Sequence, residues 1–507
     1  MGKKKNKNKV SGAVKTATKT EKNLAKKLKK ELGLTGEEDI SKIIAEIERQ
    51  EAKRATASEK TLSSPPSPRA YASFTPHPIN NELILFGGEY FNGKQTEMYN
   101  ELLFFNPINN TWKKVKAPGA PPPRSAHQAV ATPANKGELW VFGGEFTSPS
   151  ETQFYHYKDL WCFSLAERKW EKVVAPHGPS PRSGHRMVLL GRKIFVFGGY
   201  SDDGRDCRYY DDLFTFCLDT RTWNKLTPTG RGPCARSACI MLPVGNDSLV
   251  VYGGFSRTRE GRTERCATHT DAFRLVAKGG GSGDASSGPN WSWRAIGRTA
   301  HAPPPRASQA AAYNTHTNRG YVFGGVQDRE GSDSEDELEG EVTGELQMWD
   351  LETGRWHDVS LRVDQQQKLT DTGAESLAAD DCEKSEDVTV VTDSVFTMTM
   401  GAAPVRHSSP DRSPTKVVSG GPGARMSAAL AVQRSILYLY GGVLESGGKQ
   451  CSLSDLYSLD LHRLNEWKTL IEQPPLPDWF KIESSDSEED ESDDDSDSED
   501  NCESDEK

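Results

Sequence analysis

The chain has 507 residues, 35% of them hydrophobic and 45 of them glycine, with a formal net charge of −10 at neutral pH, enough for one large domain or several small ones plus charged appendages. No apolar run approaches the length that spans a bilayer, and the opening MGKKKNKNKV has no apolar segment behind its lysines as a secretory signal would. Nine cysteines without a CxxC spacing argue against a disulfide framework or a zinc site, so a cytoplasmic or nuclear protein, nucleolar included, is expected.

Residues 1–30 hold twelve lysines and one acid, a net of +11. Charge of one sign at that density repels itself, and residues 1–35 are expected to be a disordered basic arm. The lysines suit a nuclear address or an electrostatic contact to RNA or the ribosome; without an RNA-recognition module, specific readout is not expected. TGEE at Thr35–Glu38 has the form of a capping box, and Ile40, Ile43, Ile44 and Ile47 follow at helical spacing. An amphipathic helix is predicted within residues 36–60, its apolar stripe covered by the rest of the chain or by another protein's groove.

From residue 64 to residue 475 the chain repeats itself six times, near 66–115, 121–173, 179–226, 233–296, 303–359 and 422–470. Each unit opens on a Pro/Arg segment carrying Arg69, Arg124, Arg182, Arg236, Arg306 or Arg425. An apolar strand follows and stops on a glycine pair: Gly87 and Gly88, Gly143 and Gly144, Gly198 and Gly199, Gly253 and Gly254, Gly324 and Gly325, Gly441 and Gly442. An acid then opens another strand, at Glu101, Asp159, Asp212, Asp271, Glu345 and Asp455. Last comes a tryptophan with an aliphatic residue three positions on, at Trp112, Trp170, Trp223, Trp293, Trp356 and Trp467; Trp293 is preferred to Trp291 because only it has that partner, Ile296. Four short strands per unit of about fifty residues describe one blade of a propeller.

These landmarks together resemble the kelch-repeat family. The resemblance implies an all-β fold, a six-bladed kelch β-propeller, to which the charge and spacing already described add a short N-terminal helix and disordered charged tails. It places the glycine-ended strand second and the tryptophan strand outermost in each blade. All four landmarks occur in every unit, so each repeat should form a whole blade; the glycines should leave room for aromatic rings where neighbouring sheets converge. Family binders use the loops that join second to third strands and each blade to the next, which here include Glu89, Tyr90, Phe91, Glu145, Phe146, Tyr155 to Tyr157, Tyr200, Tyr209, Tyr210, Phe255 and Arg257. Aromatic and arginine residues suit an interface. The six repeat arginines either ring the channel mouth, favouring an acidic or C-terminal carboxylate partner, or anchor the strand starts.

Mobile inserts are expected at 276–290, 328–344 and 361–420; in the last, DVTVVTDSVFTM alternates like a strand able to pair with an edge or a partner. Residues 483–507 carry fifteen acids and one lysine, an acidic tail expected to be disordered, leaving −7 for the middle of the chain. Ser485, Ser487, Ser492 and Ser496, with Ser332 and Ser334 in the repeat-five insert, have an acid three residues on and resemble casein kinase 2 sites.

No P-loop, HExxH or GxSxG occurs, so neither catalysis nor a cofactor is expected. The reading is a monomeric, non-membrane interaction scaffold for a protein or peptide ligand. A cullin-ligase substrate receptor is the alternative, with Leu213 and Cys217 as the nearest approach to an elongin-binding box, alongside a nucleolar or ribosome-associated assembly factor.

Overall fold

The computed structural model describes residues 39–151, 153–202, 206–260, 263–278, 290–330, 338–361, 392–393, 396–397, 421–446 and 449–480. The basic arm, the TGEE segment, the acidic tail and all six candidate phosphorylation serines lie outside these residues.

One five-stranded and five four-stranded antiparallel sheets stand around one channel, a six-bladed β-propeller in which the four inner strands of each blade come from a single repeat. In the second blade the order outward is Gln128–Thr132, Glu138–Phe142, Leu160–Ser164 and Lys169–Val173. The second strand, ELWVF, is buried along its whole length because blades cover both of its faces, whereas the outermost is exposed except at Trp170 and Val173. The inter-blade core is one cluster per seam. Phe86, Phe104, Val141, Trp161 and Trp170 fill the seam between blades one and two.

The N-terminal helix runs Ile40–Ala52, shorter than the predicted segment, and its cap is Asp39, whose side chain accepts a hydrogen bond from the Ser41 amide at 3.0 Å. Residues 58–60, expected in the helix segment, instead begin the strand Ser58–Thr61, which pairs with Thr111–Lys116 and gives blade one a fifth, outermost strand. The helix docks on the propeller: Ile40 and Ile44 are buried against Phe146 and Tyr157, with Ile43, Ile47 and Met98 alongside.

Blade six meets blade one through Phe74, Leu85 and Trp112 against Tyr438 and Tyr440. The segment after repeat six also finds a place here. Its short 3-10 turn Asp478–Phe480 carries Trp479 across to blade one, edge-on to Phe91 at 5.8 Å.

Two predicted inserts contain strand. Residues 276–278 and 290 belong to the paired strands Ala272–Lys278 and Asn290–Ile296, and Val326–Glu330 pairs with Leu338–Val342. In the third insert Thr392–Asp393 pairs with Phe396–Thr397, so this part of the alternating segment pairs locally and not with a propeller edge.

Candidate functional site

After each glycine pair in blades one to five the chain forms a separate hairpin: Glu89–Phe91 with Thr96–Met98, Glu145–Thr147 with Phe154–His156, Tyr200–Asp202 with Cys207–Tyr209, Phe255–Glu260 with Thr263–Thr268, and Val326–Glu330 with Leu338–Val342. In blade six the second and third strands run on without interruption as Ile436–Ser446 and Lys449–Asp460. The first residue of each separate hairpin pairs back to its repeat's opening segment, as Ser125 does with Glu145. The hairpins therefore surround one mouth of a channel of about 1450 Å³.

The glycine pairs make this turn. All twelve have positive φ, which costs a side-chain-bearing residue strain. A Cβ on Gly143 would lie 2.8 Å from the Arg182 carbonyl oxygen and 2.8 Å from the His185 ring of the next blade. Gly144 donates its N–H to that same carbonyl at 2.9 Å. The space kept open at this seam is thus taken by backbone and by one aromatic ring, the His185 imidazole.

The six arginines do not ring the channel mouth, which corrects that expectation. They are 0 to 5% exposed and each pairs with its own repeat's acid. Arg124 shows the pattern: it donates to Asp159 at 2.8 and 3.2 Å, to the Gly143 carbonyl at 3.0 Å and to the Pro122 carbonyl at 3.2 Å. Burial pushes the Asp159 carboxyl up, but the Arg124 charge and hydrogen bonds outweigh it and hold it below the usual range. A tyrosine ring lies over the guanidinium in three repeats, Tyr99 on Arg69, Tyr157 on Arg124 and Tyr210 on Arg182, at 4.1 to 4.3 Å. A guanidinium so enclosed offers nothing to a ligand.

The same packing removes Tyr157 and Tyr210 from the accessible surface, and the docked helix removes Phe146. Tyr155 is 40% exposed and Arg257 is exposed; Tyr90, Phe91, Tyr200 and Tyr209 are half-buried. Tyr200 stacks on Tyr209 at 5.7 Å, and Tyr209 meets Phe255 edge-on at 6.2 Å, a continuous aromatic band across blades three and four. His127 and His185 sit behind, buried edge-on against Phe86 and Phe142; burial carries His127 down to about 3, so it stays neutral. Among the described residues no group of three or more metal-ligating side chains comes together.

Glu89, Glu145, Tyr71, Tyr200, Tyr209 and Phe255 line the mouth. Tyr71 escaped the sequence reading, although a signal existed. The residue two after each repeat arginine takes positive φ beside the channel, and only repeat one puts a large side chain there, where the others have Ala126, Gly184, Ala238, Ser308 and Ser427. Glu145 accepts from Ser183 Oγ at 2.9 Å and from the Tyr200 hydroxyl at 3.3 Å. Glu89 forms no ion pair among the described residues, and burial, with help from Glu145, raises its carboxyl to about 7.

A raised carboxyl binds its proton more tightly in the folded chain. Its stabilising contribution is whole below the ordinary glutamate range and lost as pH rises towards 7. Glu89→Gln should therefore raise the melting temperature at pH 8, by an amount corresponding to roughly 2 kcal/mol, and leave it unchanged at pH 4. Equal shifts at both pH values in thermal melts would contradict this.

The profile described as the KLHDC2/KLHL20/DRC7 Kelch-repeats domain matches residues 73–284, which hold blade one to the third strand of blade four and the first four hairpins of the mouth. These residues match a kelch-repeat domain. Among its relatives, kelch domain-containing protein 2 of Bos taurus is 29% identical over 206 residues, 36% of this chain and 48% of the relative. The Rab9 effector protein with kelch motifs of Rattus norvegicus is 35% identical over 146 residues, covering 28% and 36%. Host cell factor homolog hcf-1 of Caenorhabditis elegans is 25% identical over 360 residues, covering 64% and 41%. The chain spans less than half the length of these relatives. Kelch-repeat propellers bind protein partners and typically act as non-catalytic interaction domains. No helix among the described residues is long and apolar enough to cross a membrane.

Proposed function

We propose that this protein is a non-catalytic, monomeric scaffold of the cytoplasm or nucleus that binds a partner protein or peptide at the hairpin mouth of its kelch propeller. The supporting observation is the mouth itself: the band Tyr200, Tyr209 and Phe255 faces Tyr71 and the carboxylates Glu89 and Glu145, around a channel open to a partner's side chain. With the repeat arginines neutralised inside the blades, this chemistry favours a basic segment over an acidic or C-terminal carboxylate one. Within the kelch-repeat proteins, the lysine-rich start, ELILFGGEYFNG, SLSDLYSLDLHR and the acidic tail resemble kelch domain-containing protein 4.

The ligase-receptor alternative gains no support from Leu213 and Cys217. Both lie in the strand Leu213–Cys217, where Leu213 is buried in an inter-blade core and an elongin-type helix has no room. The nucleolar or ribosome-associated alternative, and any RNA contact, rest on lysines outside the described residues.

The test is quantitative affinity capture with two folded variants. Tyr71→Ala with Tyr209→Ala alters the hairpin mouth, and Asn246→Ala with Arg434→Ala alters turns at the opposite end of the channel. Partners lost only from the first variant support the reading. Identical partner sets from both variants overturn it.

A further inference from the structure

Three sets of backbone hydrogen bonds tie each blade to the next. The second glycine donates to the next repeat's arginine carbonyl, as Gly88 to Arg124; that arginine's N–H donates back, as Arg124 to Tyr99; and the residue two positions on donates around the channel, as Ala126 to Tyr71. All three are made at five seams. Between blades four and five, where Gly254, Arg306, His269, Ser308 and Ala238 would supply them, none of the three is made among the described residues.

Side chains at this seam differ in the same sense. Arg306 keeps only its Glu345 contact, and its buried Nε has no partner, whereas Arg124 donates from Nε to a carbonyl two residues back. The Asp271 side chain is 47% exposed where its counterpart Asp455 is 2% exposed. In the two preceding repeats the linker lies directly on the tryptophan: a Cβ on Gly178 would be 2.9 Å from Trp223, and one on Gly232 would be 2.6 Å from Trp293. Beneath the linker that reaches Trp356 there is instead a cavity of about 270 Å³.

Tyr252 and Trp356, 4.8 Å apart, form its aromatic wall together with Ile296 and Ala302. The Thr299 hydroxyl lines it, buried and without a partner, and Arg298 stands at it exposed and without an ion pair among the described residues. A cavity below the ~300–1,000 Å³ of drug-sized sites suits a single side chain. The one carboxylate in the lining, Asp271, is already paired with Arg236, so an apolar wall beside the free Arg298 guanidinium suits an aromatic residue next to a carboxylate.

We propose that the seam between blades four and five is a docking pocket for one aromatic side chain of a partner peptide, with an adjoining glutamate or aspartate of that peptide on Arg298. This rests on the protein-binding reading and adds a second contact point, away from the hairpin mouth.

Saturation-transfer NMR on the full chain tests it with N-acetyl-Phe-Glu-amide, N-acetyl-Phe-Lys-amide and N-acetyl-Gly-Glu-amide as probes. Phe-Glu should bind about fivefold more tightly than either of the others. Ala302→Phe, which fills the cavity, should abolish its signal. Arg298→Glu, at an exposed position that leaves folding intact, should reverse the order of Phe-Glu and Phe-Lys. Equal signals from the three probes, or an order unmoved by Arg298→Glu, overturn the proposal. Neither variant touches the hairpin mouth, so partner capture there stands or falls independently.

Discussion

Replacing Gly143 by valine should lower the melting temperature by about 5 °C, more than any truncation of the charged ends. The glycine holds φ at +63°, where a β-branched residue costs roughly 1–2 kcal/mol. The new Cβ would meet a carbonyl and an imidazole of the next blade, both fixed, and pushing them away breaks the Gly144 to Arg182 bond and loosens Phe142 on His185. Strain, lost bond and lost packing together come to roughly 3–5 kcal/mol. Gly191 is the internal control. Its φ is +58° but nothing lies within 4 Å of its Cβ position, so Gly191→Val should show the strain alone. Thermal unfolding that finds the two variants equal would mean that the seam accommodates a side chain and that glycine is needed only for its backbone angle.

The second large effect is expected at the arginine and acid pairs. Asp159→Ala leaves the Arg124 guanidinium buried, fully enclosed and without a counter-charge, and should cost roughly 3–5 kcal/mol in chemical denaturation. Asp271→Ala removes the matching acid of repeat four, but that carboxylate is already 47% exposed, so water can replace part of what is lost and about 1 kcal/mol is expected. A cost at Asp271 equal to that at Asp159 would argue that both pairs are equally enclosed and would count against an open fourth seam.

Much of this architecture was legible before any coordinates. The glycine pairs, the tryptophans and their spacing specified the number of blades and the place of each strand, because a repeat that cannot bury its own faces must stack on copies of itself. The pairing of each repeat arginine with its acid was not legible: the two lie 30 to 39 residues apart, and only the fold of the blade brings them together. The same holds for Phe146 and Tyr157. As residue types in a loop they suit an interface, but the helix Ile40–Ala52 and the Arg124 guanidinium already occupy them.

The sequence by itself determined the ring: six units, four strands in each, turns where only glycine fits, and charge gathered at the two ends of the chain. Local pattern suffices for that, since strand, turn and buried stripe are each written in a few consecutive residues. Tertiary structure alone decided which side chains stay accessible at the mouth, that it is lined by carboxylates and tyrosines while the repeat arginines are spent inside the blades, and that one seam of the six lacks the three backbone bonds the others make. Those properties depend on distances between repeats, and a repeat pattern carries no record of how closely its own copies will approach.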